Sequence, residues 1–129
     1  MAGTASYTLL HSKACGSAIV QACLKLGHLP HTVEELPYGE PGPGRNRLLA
    51  LNPLGQVLVL ILPDGTAMTE SAAMVLHLAE QAPDAGLAPA AGDPTRPAFL
   101  RWLVFLVAAI YPNFTYGDDT SRYVSGEEA

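Results

Sequence analysis

The chain has 129 residues, of which 49% are hydrophobic and 15% are charged, and its formal net charge is -5. This length allows one ordinary domain with a buried core, and the apolar share excludes a disordered chain. The acidic balance and the seven scattered basic residues argue against a nucleic-acid partner, because phosphate binding needs a continuous Lys/Arg surface.

The first predicted elements are a strand, a helix and a second strand. Residues 7–10 form a short β-prone run. Four apolar residues then recur at helical spacing, namely Ile19, Ala22, Cys23 and Leu26. Gly27 follows them as a C-terminal cap. Residues 31–36 predict a second strand, and the Pro and Gly residues of 37–46 predict a loop without regular structure.

Two further strands and a helix are predicted next. Residues 57–62 are a continuous apolar stretch, which is typical of a strand covered on both faces. Pro-Asp-Gly at 63–65 is a turn signal that joins this stretch to a short strand at 66–68. A helix is predicted from Ser71, with Thr69 as its N-cap. The predicted order is therefore βαβ, loop, ββα.

The rest of the chain predicts a linker and one long helix. Residues 82–97 are rich in Ala, Pro and Gly, which indicates an interdomain linker. Residues 99–110 are apolar on nearly every side, as in a helix covered by neighbours. The tail from 115 onward is polar and predicts no second helix long enough to cover it. We place the boundaries at 1–82 for the first domain, 83–97 for the linker and 98–129 for the second.

The sequence predicts a protein of a reducing, cytoplasmic compartment. The start of the chain lacks the pattern of a secretory signal. The apolar run 102–111 is shorter than the ~20 residues that span a bilayer, so no membrane segment is predicted. Cys15 and Cys23 fall in one predicted helix, about 12 Å apart along its axis, which is too far for a disulfide. The four His residues lack ligand spacing, so no metal site is predicted.

Two separated motifs resemble those of the glutathione transferase family. They are NPLGQVL at 52–58, which resembles the family's NPxGxVP, and LPDGTAMTESAAM at 62–74, where an ES pair opens a helix. Their spacing within a ββα context makes the match specific. The resemblance, to the bacterial beta-like and theta-like groups, implies an α/β thioredoxin-like domain. It also implies that 98–129 is the truncated start of the family's all-helical domain.

The binding residues follow from chemistry and from the resemblance. Glu70 and Ser71 open a predicted helix, whose N-terminal N–H groups and dipole favour an anion. The resemblance implies that this pair binds the γ-glutamyl end of glutathione. It further implies that Gln56 and Val57 bind glutathione, with the Val57 main chain pairing with the cysteinyl part. Leu58 replaces a family cis-proline, and because a non-proline cis bond costs about 2.5–4 kcal/mol, a trans bond and weakened binding are predicted.

The resemblance implies that a side chain after the first strand activates the glutathione thiol. Cys15 matches the catalytic Cys of the beta-like enzymes, and Ser12 has the offset of the theta-like catalytic Ser. The leading hypothesis is a transferase that uses glutathione as co-substrate to conjugate or transform a small electrophile, impaired by Leu58 and by the truncation. One alternative is a non-catalytic binding or scaffolding module, and a second is a monothiol, glutaredoxin-like reductase using Cys15. The apolar helix also predicts a homodimer, a domain swap, or a partner that supplies the missing helices.

Overall fold

The fold is taken from a computed structural model, which describes residues 6–13, 15–37 and 39–118. Its strands are β1 Tyr7–His11, β2 His31–Glu35, β3 Val59–Ile61 and β4 Ala67–Met68. Its α-helices are α1 Ala18–Leu26, α2 Pro43–Leu51, α3 Ser71–Gln81, α4 Arg96–Phe105 and α5 Tyr111–Asp118. A short 3-10 turn, Pro83–Ala85, follows α3, and a π-helical turn, Leu106–Ile110, joins α4 to α5.

Within the described ranges the four strands form one sheet in the order β2-β1-β3-β4. β2 is parallel to β1, because α1 carries the chain back across the sheet between them. β3 is antiparallel to β1, with Val59 opposite Leu10, and β4 is antiparallel to β3, with Met68 opposite Leu60. This βαβ-ββα arrangement confirms the predicted α/β, thioredoxin-like fold class.

The core of the sheet is covered on both faces. Leu10 and Val59 lie on the face that packs against Leu48 of α2 and against Leu36. Leu9 and Leu60 are neighbours of these residues along the strands, so they point to the opposite face, where they too are fully buried. α1 and α3 pack against each other. The sheet is thus an inner layer, and burial of both faces explains the continuous apolar pattern of β3.

Helix α2 was not predicted. The prediction of irregular structure over 37–46 is wrong from Pro43 onward, where α2 begins. Proline is well suited to the first turn of a helix, since its fixed φ is helical and its missing N–H would have no partner there. The strands predicted at 57–62 and 66–68 are also longer than the observed β3 and β4.

The two cysteines do not share a helix, contrary to the prediction. Helix α1 begins at Ala18, and Cys15 lies in the turn before it. Cys23 is a buried core residue of α1, as its pattern indicated, whereas Leu26 is 63% exposed. Burial raises the pKa of the Cys23 thiol, which keeps it protonated at neutral pH. Both cysteines are free thiols, and of the two Cys15 is the more exposed.

The chain divides into two compact units, and the second of them is Pro89–Ala129. Its helical stretch is longer than predicted, because helix α4 begins at Arg96 and α5 continues into the polar tail. The 19 residues of Arg96–Phe114 have a window of mean hydropathy 1.4, so by length and composition they could cross a membrane. Core helices of soluble proteins meet the same criterion, so length and composition do not by themselves identify a membrane span. The prediction that 83–97 is a linker stays a prediction.

Candidate functional site

Three loop segments meet at one end of the sheet. Leu10, near the end of β1, lies opposite Val59, at the start of β3, and Met68, at the end of β4, lies opposite Leu60. The residues that follow β1, precede β3 and follow β4 therefore emerge together. We call residues 12–13 and 15–17, together with the segments 52–58 and 69–71, the loop end of the sheet. Every site residue predicted from the sequence belongs to one of them.

Asn52 folds the loop that precedes β3. Its side chain is buried, with Nδ2 donating to the Gln56 carbonyl at 2.8 Å and Oδ1 accepting from the Leu54 N–H at 3.2 Å. Its main chain also takes part: the Asn52 N–H caps α2 by donating to Leu48, and its carbonyl accepts from Gly55 at 2.8 Å. Asn52 therefore ends α2 and fixes the path of the loop at once.

Arg45, in the first turns of α2, also holds this loop through a contact with Gly55. Its Nη1 donates to the Gly55 carbonyl at 2.6 Å. Gly55 is buried and has a φ of 63°. This left-handed conformation costs a residue with a Cβ roughly 1–2 kcal/mol. Glycine at 55 thus serves the turn and makes room for the guanidinium.

We expect Gly55→Ala to destabilise the protein by about 1–3 kcal/mol. An ideal Cβ at Gly55 would lie 2.6 Å from Nη2 and 2.7 Å from Nη1 of Arg45. The guanidinium would have to move and release the Gly55 carbonyl. Gly86→Ala is the matched control, since Gly86 has a φ of 62° and nothing within 4 Å of its ideal Cβ. Urea unfolding should give the larger loss for Gly55→Ala, and equal losses would contradict the role of Arg45.

Val57 presents a main chain that is free to bind a peptide. Its N–H and carbonyl form no hydrogen bond with any residue in the described ranges. Its side chain is half-buried and packs against the cluster around Leu48. The Val57–Leu58 peptide bond is cis, so the prediction of a trans bond at this point is wrong. Residue 58 alone does not decide the backbone path, because Asn52 and Arg45 fix the loop that leads into it.

The pair Glu70–Ser71 stands where α3 begins. Glu70 is the N-cap residue, so the prediction that Thr69 would cap the helix is wrong. Glu70 has a φ of 68° and a ψ of 103°, a sparsely populated conformation for a non-glycine residue, and no side chain caps the helix. The first intrahelical bond runs from the Met74 N–H to the Glu70 carbonyl. The N–H groups of the first turn precede it and remain available to an anion.

Ser12 and Cys15 are in direct contact in the turn after β1. The Ser12 N–H donates to Cys15 Sγ at 3.3 Å, and the Cys15 N–H donates to the Ser12 carbonyl at 3.4 Å. Both side chains are half-buried. Ser17, buried just before α1, accepts from Gln21 and lies 3.5 Å from His11 Nδ1. The two candidate catalytic residues are therefore held side by side at the loop end.

The sequence motifs identified the candidate site residues, but they did not identify Asn52 and Arg45 as the residues that fix the loop before Val57. The sequence identified Asn52 only as part of the NPLG motif, although an Asn-Pro pair is itself a turn signal. Arg45 had no signal, because its helix was not predicted. Gln56 contributes its carbonyl to Asn52, while its side chain is exposed. Among the described residues no group of three or more His, Cys, Asp or Glu could hold a metal ion.

Comparison with known proteins gives a consistent result. The profile of the glutathione S-transferase N-terminal domain matches residues 17–81. The uncharacterized GST-like protein YncG of Escherichia coli K12 is 40% identical over 109 residues, which are 84% of this chain and 52% of that protein. The chain therefore spans about half the length of this relative.

Solved structures resemble most of the chain. A glutathione transferase homolog from Sulfitobacter, determined with bound glutathione, is 27% identical with a TM-score of 0.82, over 97% of this chain and 60% of that one. A beta-class glutathione S-transferase from Sphingomonas chungbukensis is 27% identical with a TM-score of 0.74, over 94% of this chain and 59% of that one. Each neighbour thus extends well beyond the part that this chain matches.

Proposed function

Because this chain belongs to the glutathione S-transferase family, we propose that it binds glutathione at the loop end of its sheet. The observation that carries the proposal is the pair Glu70–Ser71. Its strained backbone opens α3 at the same end of the sheet as the free main chain of Val57. Sparsely populated backbone conformations cluster at ligand sites, where the surrounding structure maintains them. The Sulfitobacter neighbour, which has bound glutathione, supports the choice of ligand.

The ligand fits these segments by its chemistry. The γ-glutamyl carboxylate is an anion, and it matches the Ser71 hydroxyl and the free N–H groups of α3. The γ-glutamyl amine is a cation, and it matches the exposed Glu70 carboxylate. The cysteinyl part carries its own N–H and C=O, which can pair with those of Val57 in the manner of an added strand. Such a placement directs the sulfur toward the turn that holds Ser12 and Cys15.

We expect Ser71→Ala to weaken glutathione binding about tenfold, since it removes one hydrogen bond to a charged group. Glu70→Gln should weaken it similarly by removing the charge opposite the amine. The measurement is a calorimetric titration of the purified chain with reduced glutathione. Glu80→Gln is the matched control, because Glu80 is an exposed acid near the other end of the same helix. Wild-type protein that takes up no glutathione would refute the proposal.

We further propose that the bound thiol attacks a small electrophile. The thiol loses its proton to solvent, its sulfur bonds to the electrophilic carbon, and the bond from that carbon to the leaving group breaks, so that the leaving group departs with the electron pair. Ser12 or Cys15 would hold the sulfur by a hydrogen bond as charge develops on it. Both residues stay candidates, because their main chains and the Cys15 sulfur touch one another.

Conjugation of a chloroaromatic compound should therefore slow by about 10²-fold or more in one of the two variants, Ser12→Ala and Cys15→Ala. The variant that slows while still binding glutathione identifies the acting residue. Normal rates in both would exclude both residues from catalysis. Wild-type protein that binds glutathione but conjugates no electrophile would favour a non-catalytic binding module. Glutathione-dependent reduction of a mixed disulfide that is lost only in Cys15→Ala would favour a monothiol reductase.

The exposed side chains of α4 and α5 motivate a proposal of self-association. Trp102, Phe105 and Phe114 are 52%, 45% and 67% exposed, and exposed apolar side chains that form a patch mark an interaction site. A homodimer or a domain swap should appear in sedimentation velocity as concentration-dependent association. A single monomeric species at high concentration would contradict it.

A further inference from the structure

The guanidinium of Arg45 lies directly on the main chain of Gly55. Besides the hydrogen bond from Nη1, its Cζ, Nη1 and Nη2 atoms stand 2.6–2.8 Å from where a Cβ of residue 55 would be. A planar guanidinium fits this space because glycine leaves it empty. The contact is charge-assisted, and bonds of this kind are roughly twice as strong as neutral ones.

Arg45 and Arg47 lie on the same helix but have partners of different kinds. Arg47 pairs with Glu34 at the surface, where both side chains are more than two-fifths exposed. Within the described ranges Arg45 forms no ion pair, and its side-chain hydrogen bond goes to a main-chain carbonyl. A charged group that is directed at a carbonyl and not at a carboxylate fixes backbone position.

The contact of Arg45 with Gly55 acts on the residues that lead to Val57. The Gly55 carbonyl is held by Arg45, and the next carbonyl, of Gln56, is held by the Asn52 side chain. Two successive peptide groups are therefore tied to the two ends of α2. The main chain of Val57 is the next one along, and it is left without a partner in the described ranges.

We propose that Arg45 is a positioning residue, which holds Gly55 so that the Val57 main chain is presented in one orientation to the ligand. Its significance for binding rests on the glutathione binding proposed above. The residue acts through the loop, by the planar shape of its guanidinium. A positive charge alone does not replace that shape, because an ammonium group cannot cover Gly55 in the same way.

The first test is glutathione affinity, measured well below the unfolding midpoint of each variant. Arg45→Ala should raise the dissociation constant about tenfold. Arg45→Lys keeps the charge and should fail to restore wild-type affinity, whereas Arg47→Ala, the control, should bind as wild type does. Wild-type affinity in Arg45→Ala would overturn the proposal. Full rescue by Arg45→Lys would also overturn it, since charge would then be the active property.

The second test needs no ligand. The Leu54 and Gly55 N–H groups are hydrogen-bonded to Asn52, so their hydrogen exchange reports on the loop. Exchange at both should become several-fold faster in Arg45→Ala and stay unchanged in Arg47→Ala. If wild-type protein binds no glutathione, the proposed function fails and this exchange alone decides the role of Arg45. Unchanged protection at Leu54 and Gly55 in Arg45→Ala would then overturn it.

Discussion

Replacing Leu48 with Ala is expected to lower the free energy of unfolding by about 2–5 kcal/mol. Leu48 is fully buried, and it is the buried residue of α2, where it packs against Leu10, Leu36 and Val59. The truncation removes the apolar contacts that this side chain makes between α2 and the sheet, and it leaves a cavity. Small domains have a total stability of about 5–15 kcal/mol, so this loss is a large part of the whole.

Leu49→Ala is the matched control, because Leu49 is the next residue on the same helix and is 39% exposed. It should cost less than about 1 kcal/mol. Urea unfolding followed by circular dichroism compares the two variants directly. Equal losses in both would mean that α2 is not anchored to the sheet through Leu48.

Replacing Asn52 with Ala is expected to cost about 2–4 kcal/mol and to weaken glutathione binding as well. The substitution removes two side-chain hydrogen bonds and leaves the Gln56 carbonyl and the Leu54 N–H without their partner. Each lost bond is worth about 1 kcal/mol, and the truncation of a buried side chain adds to that loss. Binding should suffer because the Gln56 carbonyl precedes Val57 and sets its orientation.

Two further variants make this prediction specific. Asn46→Ala replaces an exposed asparagine of the same helix and should change stability by less than about 0.5 kcal/mol. Asn52→Asp keeps an acceptor for the Leu54 N–H but loses the donor to Gln56. It should therefore retain the turn and still bind glutathione poorly. If Asn52→Ala unfolds and binds like Asn46→Ala, the proposed support of the loop is wrong.

The sequence predicted the parts of the fold that have strong local signals. Strand β1 is a β-prone run and β3 an apolar run, the turn before β4 has Pro-Asp-Gly, and α3 begins at the Ser of the ES motif. Helix α2 could not be found in this way. It exposes most of its residues and buries Leu48, so it has no apolar stripe, and its stability comes from tertiary contacts and from its caps.

The same distinction applies to the site. Glu70, Ser71 and Val57 were found because short motifs name them, and the structure places them at one end of the sheet. The support of the loop before Val57 by Arg45 depends on a contact between residues ten apart in the chain, which no local pattern encodes. The prediction that Cys15 lies in α1 was also wrong, because the helical pattern after it does not reveal where the first turn of α1 begins.

Leu48 is the one fully buried side chain of α2, and this has a kinetic consequence. A helix held by one buried side chain opens locally at a lower free energy than the core of its domain. Because Arg45 and Asn52 both belong to that helix or its cap, one such opening would release the Gly55 and Gln56 carbonyls together. We therefore expect the lifetime of bound glutathione to follow the closed lifetime of α2, and saturating ligand to slow the exchange of its amide protons.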